Sequence, residues 1–410
     1  MKYIGNLTPQ IYNIDGHTIY GFHSDATPIV RILLSFDAGY FYQHRILTAD
    51  AANQLFSEGT TIHTAQQLSE FEDFRGIIIE KDKQFYTADV SVYMLRKYAD
   101  EFLPLLHEML TQPLFDSRDF EIYKTKKRHA IQNLELKTSA VARKLYDAAI
   151  YGAGHPRSQF ATPDDVDKLD LNEIKHFFNQ HYRLDQVHIV IAGNYDLPLL
   201  HICSELFGGT AYAEPEQLDR CLIQQQPPQK ITHKLSQSNQ SSVRIGYQLP
   251  IAWNHPDYTP LMVLNTLFGG YFGSRLMSNI REDKGFTYGI NSFTTASRDG
   301  ILFTIASEIA TESVADAISE IHYEMERLRQ EEVPNEELAM VCKYMEGDFL
   351  RSIDGVFERS ERCAQMYSGG ITDQFTQQYL NTIQTITPQQ ILQIAQKYLL
   401  CDKMNEVIVS

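Results

Sequence analysis

Arg281 and Tyr288 stand seven residues apart, on either side of Gly285, in the run IREDKGFTY. A guanidinium is a permanent cation with a planar fork of donors, and a phenol adds a single O–H. Held near one another, the two would grip a peptide carbonyl or carboxylate. The same pair also suits a surface arginine and a half-buried tyrosine packed at a turn. The surrounding residues 267–288, LFGGYFGSRLMSNIREDKGFTY, must position them. They read as a helix end, a hinge at Gly269 and Gly270, an amphipathic helix, a stop at Gly285 and a strand opening at Phe286-Thr287-Tyr288. Leu276, Met277 and Ile280 fall at helical spacing, and Arg281-Glu282-Asp283-Lys284 form the polar end.

The chain that supports this run repeats itself. Val30-Arg31-Ile32 recurs as Val243-Arg244-Ile245, and Leu55-Phe56 before Gly59 recurs as Leu267-Phe268 before Gly270. Ala99-Asp100 and Met109 recur as Ala315-Asp316 and Met325. The offsets are 213, 212 and 216, in order along the chain. Two homologous halves follow, 1–209 and 231–410, each one domain in size. Residues 210–230, rich in Gln, Pro and Glu, read as the connector.

Within each half, groups of strands alternate with groups of helices. Strands are expected over 28–38, 85–93 and 187–192, where β-branched and apolar side chains dominate. Helical spacing marks 48–56, 97–110, 116–145, 171–178, 314–328, 336–350 and 388–398. This order predicts an α+β fold of two tandem domains.

Composition removes several functions. Net charge is −16 and pI about 5.3, so the field of the chain repels phosphate backbones and anionic membranes; no nucleic-acid partner is expected. Five scattered cysteines without a C-x-x-C pair argue against a disulfide framework or a cysteine zinc site. No apolar run approaches 18 residues and the first residues have no signal-peptide core, so a cytoplasmic protein with no membrane contact is expected.

The two-fold repeat, the Leu-Phe…Gly helix ends and the Gly-Gly…Arg-Leu…Ile-Arg-Glu…Gly-x-x-Tyr run resemble the pitrilysin/insulinase metallopeptidases, in particular their short two-domain members similar to mitochondrial processing peptidase. The resemblance implies two domains, each a largely antiparallel sheet with helices packed on one face. It also implies an H-x-x-E-H motif on the first helix, because histidines four apart share a face and a glutamate between them can act on zinc-bound water. Counted back from Gly59-Thr60, the histidine positions fall on Asp50 and Gln54 and the glutamate position on Asn53. The last ligand falls on Ala130, within one helical turn. None of the four matches, and TADAANQLFSEGT contains no histidine.

Other constellations are no better. His107-Glu108 lacks a partner histidine, and His176 and His181 are five apart, a rotation of about 500° on a helix. Asp50, Asn53 and Gln54 offer oxygens to a hard cation, yet polar residues at a helix start ordinarily cap it. No metal is expected in this chain. The family's second-domain pair falls on Arg281 and Tyr288, which the resemblance casts as substrate-binding and oxyanion-stabilising residues. A non-catalytic subunit is therefore expected, acting on unstructured peptides with a homologous partner that carries H-x-x-E-H and the zinc, and able to form a homodimer in isolation. The competing expectation is a degenerate homologue that captures peptides or scaffolds a complex without hydrolysis. An independent peptidase with relocated ligands is the least supported reading.

Overall fold

The computed structural model describes residues 8–212, 226–235, 239–298, 300–371 and 373–410. In the first half, strands β1 (Gln10–Ile14), β2 (His17–His23) and β3 (Ile29–Phe36) lead to helices α1 (Thr48–Leu55) and α2 (Ala65–Arg75). Strands β4 (Ile78–Lys83) and β5 (Ala88–Leu95) follow, then α3 (Ala99–Thr111), α4 (Ser117–Glu135), α5 (Thr138–Tyr151), α6 (Pro163–Asp167), α7 (Leu171–His181), β6 (His188–Gly193) and α8 (Leu197–Phe207). The second half repeats the order: β7 (Lys230–His233), β8 (Gln240–Leu249), α9 (Tyr258–Asn265), β9 (Thr287–Ser297), β10 (Gly300–Ala310), α10 (Val314–Gln330), α11 (Asn335–Arg351), α12 (Val356–Ser368), α13 (Asp373–Thr385), α14 (Pro388–Tyr398) and β11 (Asn405–Val409).

The α+β class and the largely antiparallel sheets are as the sequence predicts. One sheet runs β1-β2-β6-β3-β5-β4 and the other β7-β11-β8-β10-β9; only β2–β6 and β7–β11 pair parallel. Alternation along β3 shows how the first core forms. Val30, Ile32, Leu34 and Phe36 join a large cluster with Ala52 and Leu55 of α1, Phe102 and Leu106 of α3, and Phe177 and Phe178 of α7. The opposite face of β3 presents Arg31, Leu33 and Ser35.

That second face is covered by a helix from the other half of the sequence. The chain folds as two compact units: residues 1–132, 160–214 and 352–368 form one, and 133–159, 215–351 and 369–410 the other. Thus α12 packs on the first sheet, where Val356, Cys363 and Ala364 meet Tyr20, Phe22, Leu33 and Val190. Reciprocally, α5 packs on the second sheet, where Ala142, Tyr146 and Ile150 meet Val407 and Val409. The repeated Arg of V-R-I faces the exchanged helix each time. Arg31 donates to Ser360 at 2.9 Å and Ser91 at 3.0 Å and pairs with Glu361. Arg244 lies near enough to Asp147 of α5 to favour its ionised form.

The exchange explains one departure from the predicted elements. Residues 116–145 read as a single helix, but α4 ends at Glu135 and α5 begins at Thr138, after Lys137 in extended conformation. No glycine or proline marks the break; α5 leaves because its apolar face belongs to the other sheet. Of the expected connector, residues 213–225 lie outside the described residues.

Candidate functional site

The positions that the resemblance assigns to metal lie on and around α1. Asp50 sits in its first turn and is buried. Its carboxylate pairs with Lys83, at the end of β4, and with Lys127 of α4 at 2.7 Å, and accepts a hydrogen bond from the phenol of Tyr123. Burial alone would raise the Asp50 pKa, but the ammoniums of Lys83 and Lys127 outweigh it and hold the carboxyl below its ordinary range. Burial, reinforced by the Asp50 charge, pushes the Tyr123 phenol far above its usual pKa, so it remains a donor.

Asn53 is fully buried; its amide donates to the Tyr182 phenol at 3.0 Å and reaches the carbonyl of Asp82 in β4 at 3.5 Å. Its carbonyl oxygen is buried without a partner. Gln54 is half-buried and contributes its main-chain carbonyl, which accepts from Lys81 Nζ at 2.9 Å. Ala130 is exposed on α4; the residues of α4 that reach Asp50 are Tyr123 and Lys127, up to two turns earlier.

These residues do not fit zinc. A dication here would face two ammonium groups and one carboxylate already engaged by both, and the glutamate position holds a neutral amide. Among the described residues, no three His, Cys, Asp or Glu side chains group to hold a metal ion. Glu108 is likewise occupied, by Thr60 and by His63 Nδ1 at 2.8 Å. Lys83 and Lys127 escaped sequence reasoning. The available signal was electrostatic: an acid buried at a ligand position needs a cation from elsewhere.

In the second unit the run around Arg281 is built from wider turns than the predicted α-helix. Both Thr266–Gly270 and Met277–Asp283 are π-helical, with Lys284 N–H donating to the Asn279 carbonyl at 3.0 Å. Met277 and Ile280 are buried, which leaves Arg281 half-exposed on the outer side. Gly285 takes φ +69°, a left-handed turn that reverses the chain into β9.

Gly269 and Gly270 have a different role from the expected hinge. Neither adopts a left-handed φ, and a Cβ on Gly269 would lie 2.6 Å from the Ser292 hydroxyl. The glycine is required there by close packing against β9.

Tyr288 lies on a β-bulge. Ser307 of β10 faces Ile290, but Ile309 faces Thr287, so β9 contains one extra residue at this point. Thr287 and Ser307 pin it: the Thr287 hydroxyl accepts from Gly289 N–H at 3.1 Å, and the Ser307 hydroxyl donates to the Gly289 carbonyl at 2.9 Å. Ile290 and Ser292 face the core, whereas Tyr288 is 90% exposed. The bulge turns it outward. Arg281 makes no hydrogen bond or ion pair among the described residues; its guanidinium lies 4.5 Å from the centre of the Phe272 ring. Phe272, itself 65% exposed, is a further member of the site that sequence reasoning missed.

The profile of the peptidase M16 inactive domain matches residues 168–345. Over those residues the chain is similar to the inactive domain of the M16 peptidases. A "non-peptidase homolog YmxG" of Helicobacter pylori is 24% identical over 371 residues, which covers 87% of this chain and 83% of that protein. An "uncharacterized zinc protease YmxG" of Bacillus subtilis is 22% identical over 316 residues, 75% of each chain. Among solved structures, a protease from Helicobacter pylori superposes with a TM-score of 0.87 at 15% identity, covering 98% of this chain and 100% of that one. A peptidase M16 inactive domain from Pseudomonas fluorescens gives 0.83 at 19%, with 98% of each chain covered.

The resemblance read from residues 267–288 therefore holds at the level of the M16 family and its two-domain fold. The relatives bear both kinds of printed name, protease and non-peptidase. Among the described residues no helix is long and apolar enough to cross a membrane.

Proposed function

We propose that this M16 homologue is the non-catalytic subunit of a two-chain zinc peptidase, lending Arg281 and Tyr288 to a partner that carries H-x-x-E-H and the metal. One contrast carries the reading. The metal positions of the first unit are filled by an Asp–Lys–Lys cluster that opposes a dication, while Arg281 and Tyr288 stand ready in the second with no acceptor of their own. A guanidinium and a phenol retained without metal chemistry beside them make sense as grips for a peptide group whose bond is broken from another chain. Unstructured peptides are the substrate class, because an extended segment offers its carbonyls to such donors.

The experiment is reconstitution. Purified alone, the chain should hold no stoichiometric zinc and should not cleave unstructured peptides. Mixed with a homologous H-x-x-E-H subunit encoded beside it, it should give chelator-sensitive turnover. Stoichiometric zinc in the chain alone, or a mixture no faster than the partner by itself, would remove the proposal. A second reading, a peptide-capturing homologue without hydrolysis, is favoured by the outward setting of Tyr288, which needs no partner to be reached. Peptide binding with no turnover in the mixture would select it.

A further inference from the structure

Among the described residues Arg281 is left without a counter-charge, in a chain that has 52 acidic residues against 36 lysines and arginines. Its sequence neighbours Glu282 and Asp283 are exposed and form no ion pair with it. Three residues on, Lys284 finds Glu320 at 3.3 Å, and six residues back Arg275 is held by both oxygens of Glu337 at 2.9 Å. The charge of Arg281 instead rests against Phe272. A ring engages the π-face of a guanidinium and leaves the N–H groups along its edge free, and those edges fit the two oxygens of one carboxylate.

Phe272 is itself firmly placed. It follows the close contact of Gly269 with Ser292, and the preceding Tyr271 packs against Tyr344 of α11, the rings tilted by 36° with centres 5.0 Å apart. The loop that presents Phe272 is thus anchored on both β9 and α11, and an aromatic ring 65% exposed has no packing reason to point outward. From these observations, and resting on the reading that Arg281 and Tyr288 grip a peptide, we infer that Phe272 is a positioning residue for Arg281 and that the pair selects the free C-terminal carboxylate of a peptide over an internal carbonyl.

The guanidinium meets that carboxylate edge-on, with two parallel N–H···O bonds. An uncharged amide at that end can satisfy one direction of the fork only, and leaves the cation without a counter-charge. No bond is made or broken; the step is recognition.

The test uses the full-length protein and one fluorescently labelled unstructured peptide, prepared with either a free C-terminal carboxylate or a C-terminal amide. Anisotropy titration at low salt should show the carboxylate form bound about tenfold more tightly. Arg281→Ala should abolish the difference. Phe272→Leu should weaken the carboxylate form by roughly three- to fivefold and leave the amide form nearly unchanged, and Phe272→Trp should restore it. Melting curves of both variants should match the parent, which separates positioning from stability. Equal affinity for the two peptides, with binding still lost in Arg281→Ala, would overturn the carboxylate inference and leave the peptide grip standing. Phe272→Leu indistinguishable from the parent would overturn the positioning role. No binding of either peptide, or binding indifferent to Arg281→Ala, would remove the grip and this inference with it.

Discussion

Helices α1 and α9 are repeats of one another, 212 positions apart, and each carries an asparagine at the same place: Asn53 and Asn265. Each amide reaches across to the edge strand of its own sheet. Asn53 reaches the carbonyl of Asp82 in β4 at 3.5 Å, and Asn265 donates to the carbonyl of Ser292 in β9 at 3.2 Å. In both, the carbonyl oxygen of the side chain is buried without a partner. At the next matching place the helices differ, with Asp50 and its two lysines on one and the half-buried Met262 on the other. At Asn53, where the resemblance puts the glutamate, the first unit holds the residue that the second unit has at the matching place, doing the same work of covering an edge strand's backbone. The ion cluster is what remains particular to the first unit.

The largest effect expected from breaking the comparison is at Asp50. Asp50→Ala leaves the ammoniums of Lys83 and Lys127 facing one another at a buried site, and removal of one partner from such a cluster costs about 3–5 kcal/mol. Met262→Ala, at the matching place on α9, removes apolar contact alone and should cost about half as much or less. Urea unfolding followed by circular dichroism would report both. Equal losses at the two positions would show that the charges add nothing specific. Replacing the cluster by apolar residues, as in Asp50→Leu with Lys83→Met and Lys127→Met, should recover most of the loss.

Kinetics give the next contrast, since the second unit should matter to turnover and the first only to folding. In a reconstituted complex, Tyr288→Phe should lower kcat by about 10²–10³, roughly 3–4 kcal/mol of barrier. Arg281→Ala should raise KM as well, because its charge holds substrate before chemistry. The double variant should lose less than the sum, as two residues gripping one group do. Asp50→Asn should leave kcat per folded complex unchanged. A rate indifferent to both second-unit substitutions would make the chain a scaffold.

Much of this was legible in the chain. The repeat V-R-I located β3 and β8, and the glycine-punctuated run 267–288 located Arg281 and Tyr288. The resemblance puts the histidine positions on Asp50 and Gln54 and the glutamate position on Asn53 by counting along one helix, which needs local spacing alone. What could not be read depends on distant residues. Lys83 and Lys127 reach Asp50 from 33 and 77 positions away, and only the folded sheet brings them there. The exchange of α5 and α12 left no local mark, since an apolar helix face does not name the sheet it covers. The bulge beneath Tyr288 is a register shift between two strands, which neither strand's own alternation reveals. For the same reason the Gly269 requirement looked like backbone freedom when it is a steric one.

The exchanged helices supply a pH test in which the two units should behave alike. Burial raises Asp89, beneath α12, to about 6, only partly offset by its Ser35 hydrogen bond. Burial likewise raises Asp147, on α5, to about 6 against the opposing pull of Arg143 and Arg157. Both folded-state values lie above the ordinary carboxylate range, so each contribution is fully present below about pH 4 and is lost as pH rises through 6. At about 1.4 kcal/mol per pKa unit, each is worth up to roughly 3 kcal/mol. Asp50 works in the opposite sense, its contribution being lost as pH falls. Asp89→Asn and Asp147→Asn should therefore each flatten the decline in unfolding free energy between pH 4 and 7. A decline identical to the parent in both variants would assign it to other groups.

The smallest and sharpest contrast lies at the asparagines themselves. If Asn53 is a structural counterpart of Asn265, Asn53→Ala and Asn265→Ala should cost similar amounts, about 1–2 kcal/mol each, for a lost amide donor at a buried carbonyl. Asn53→Ala has the further effect of stranding the Tyr182 phenol, fully buried against α1, so its cost should be the larger of the two. Because the sites belong to different compact units and share no partner, the double variant should show additive losses where both units unfold together. Asn53→Asp sharpens the point. A carboxylate there lacks the amide N–H groups that reach the Tyr182 phenol and the Asp82 carbonyl and sets a buried charge against that carbonyl, so it should destabilise more than alanine does. If Asn53→Asp were instead tolerated, with zinc then bound by the variant, the first unit would still be a metal site in waiting. Asn53 would then be a lost catalytic residue and not a second copy of Asn265.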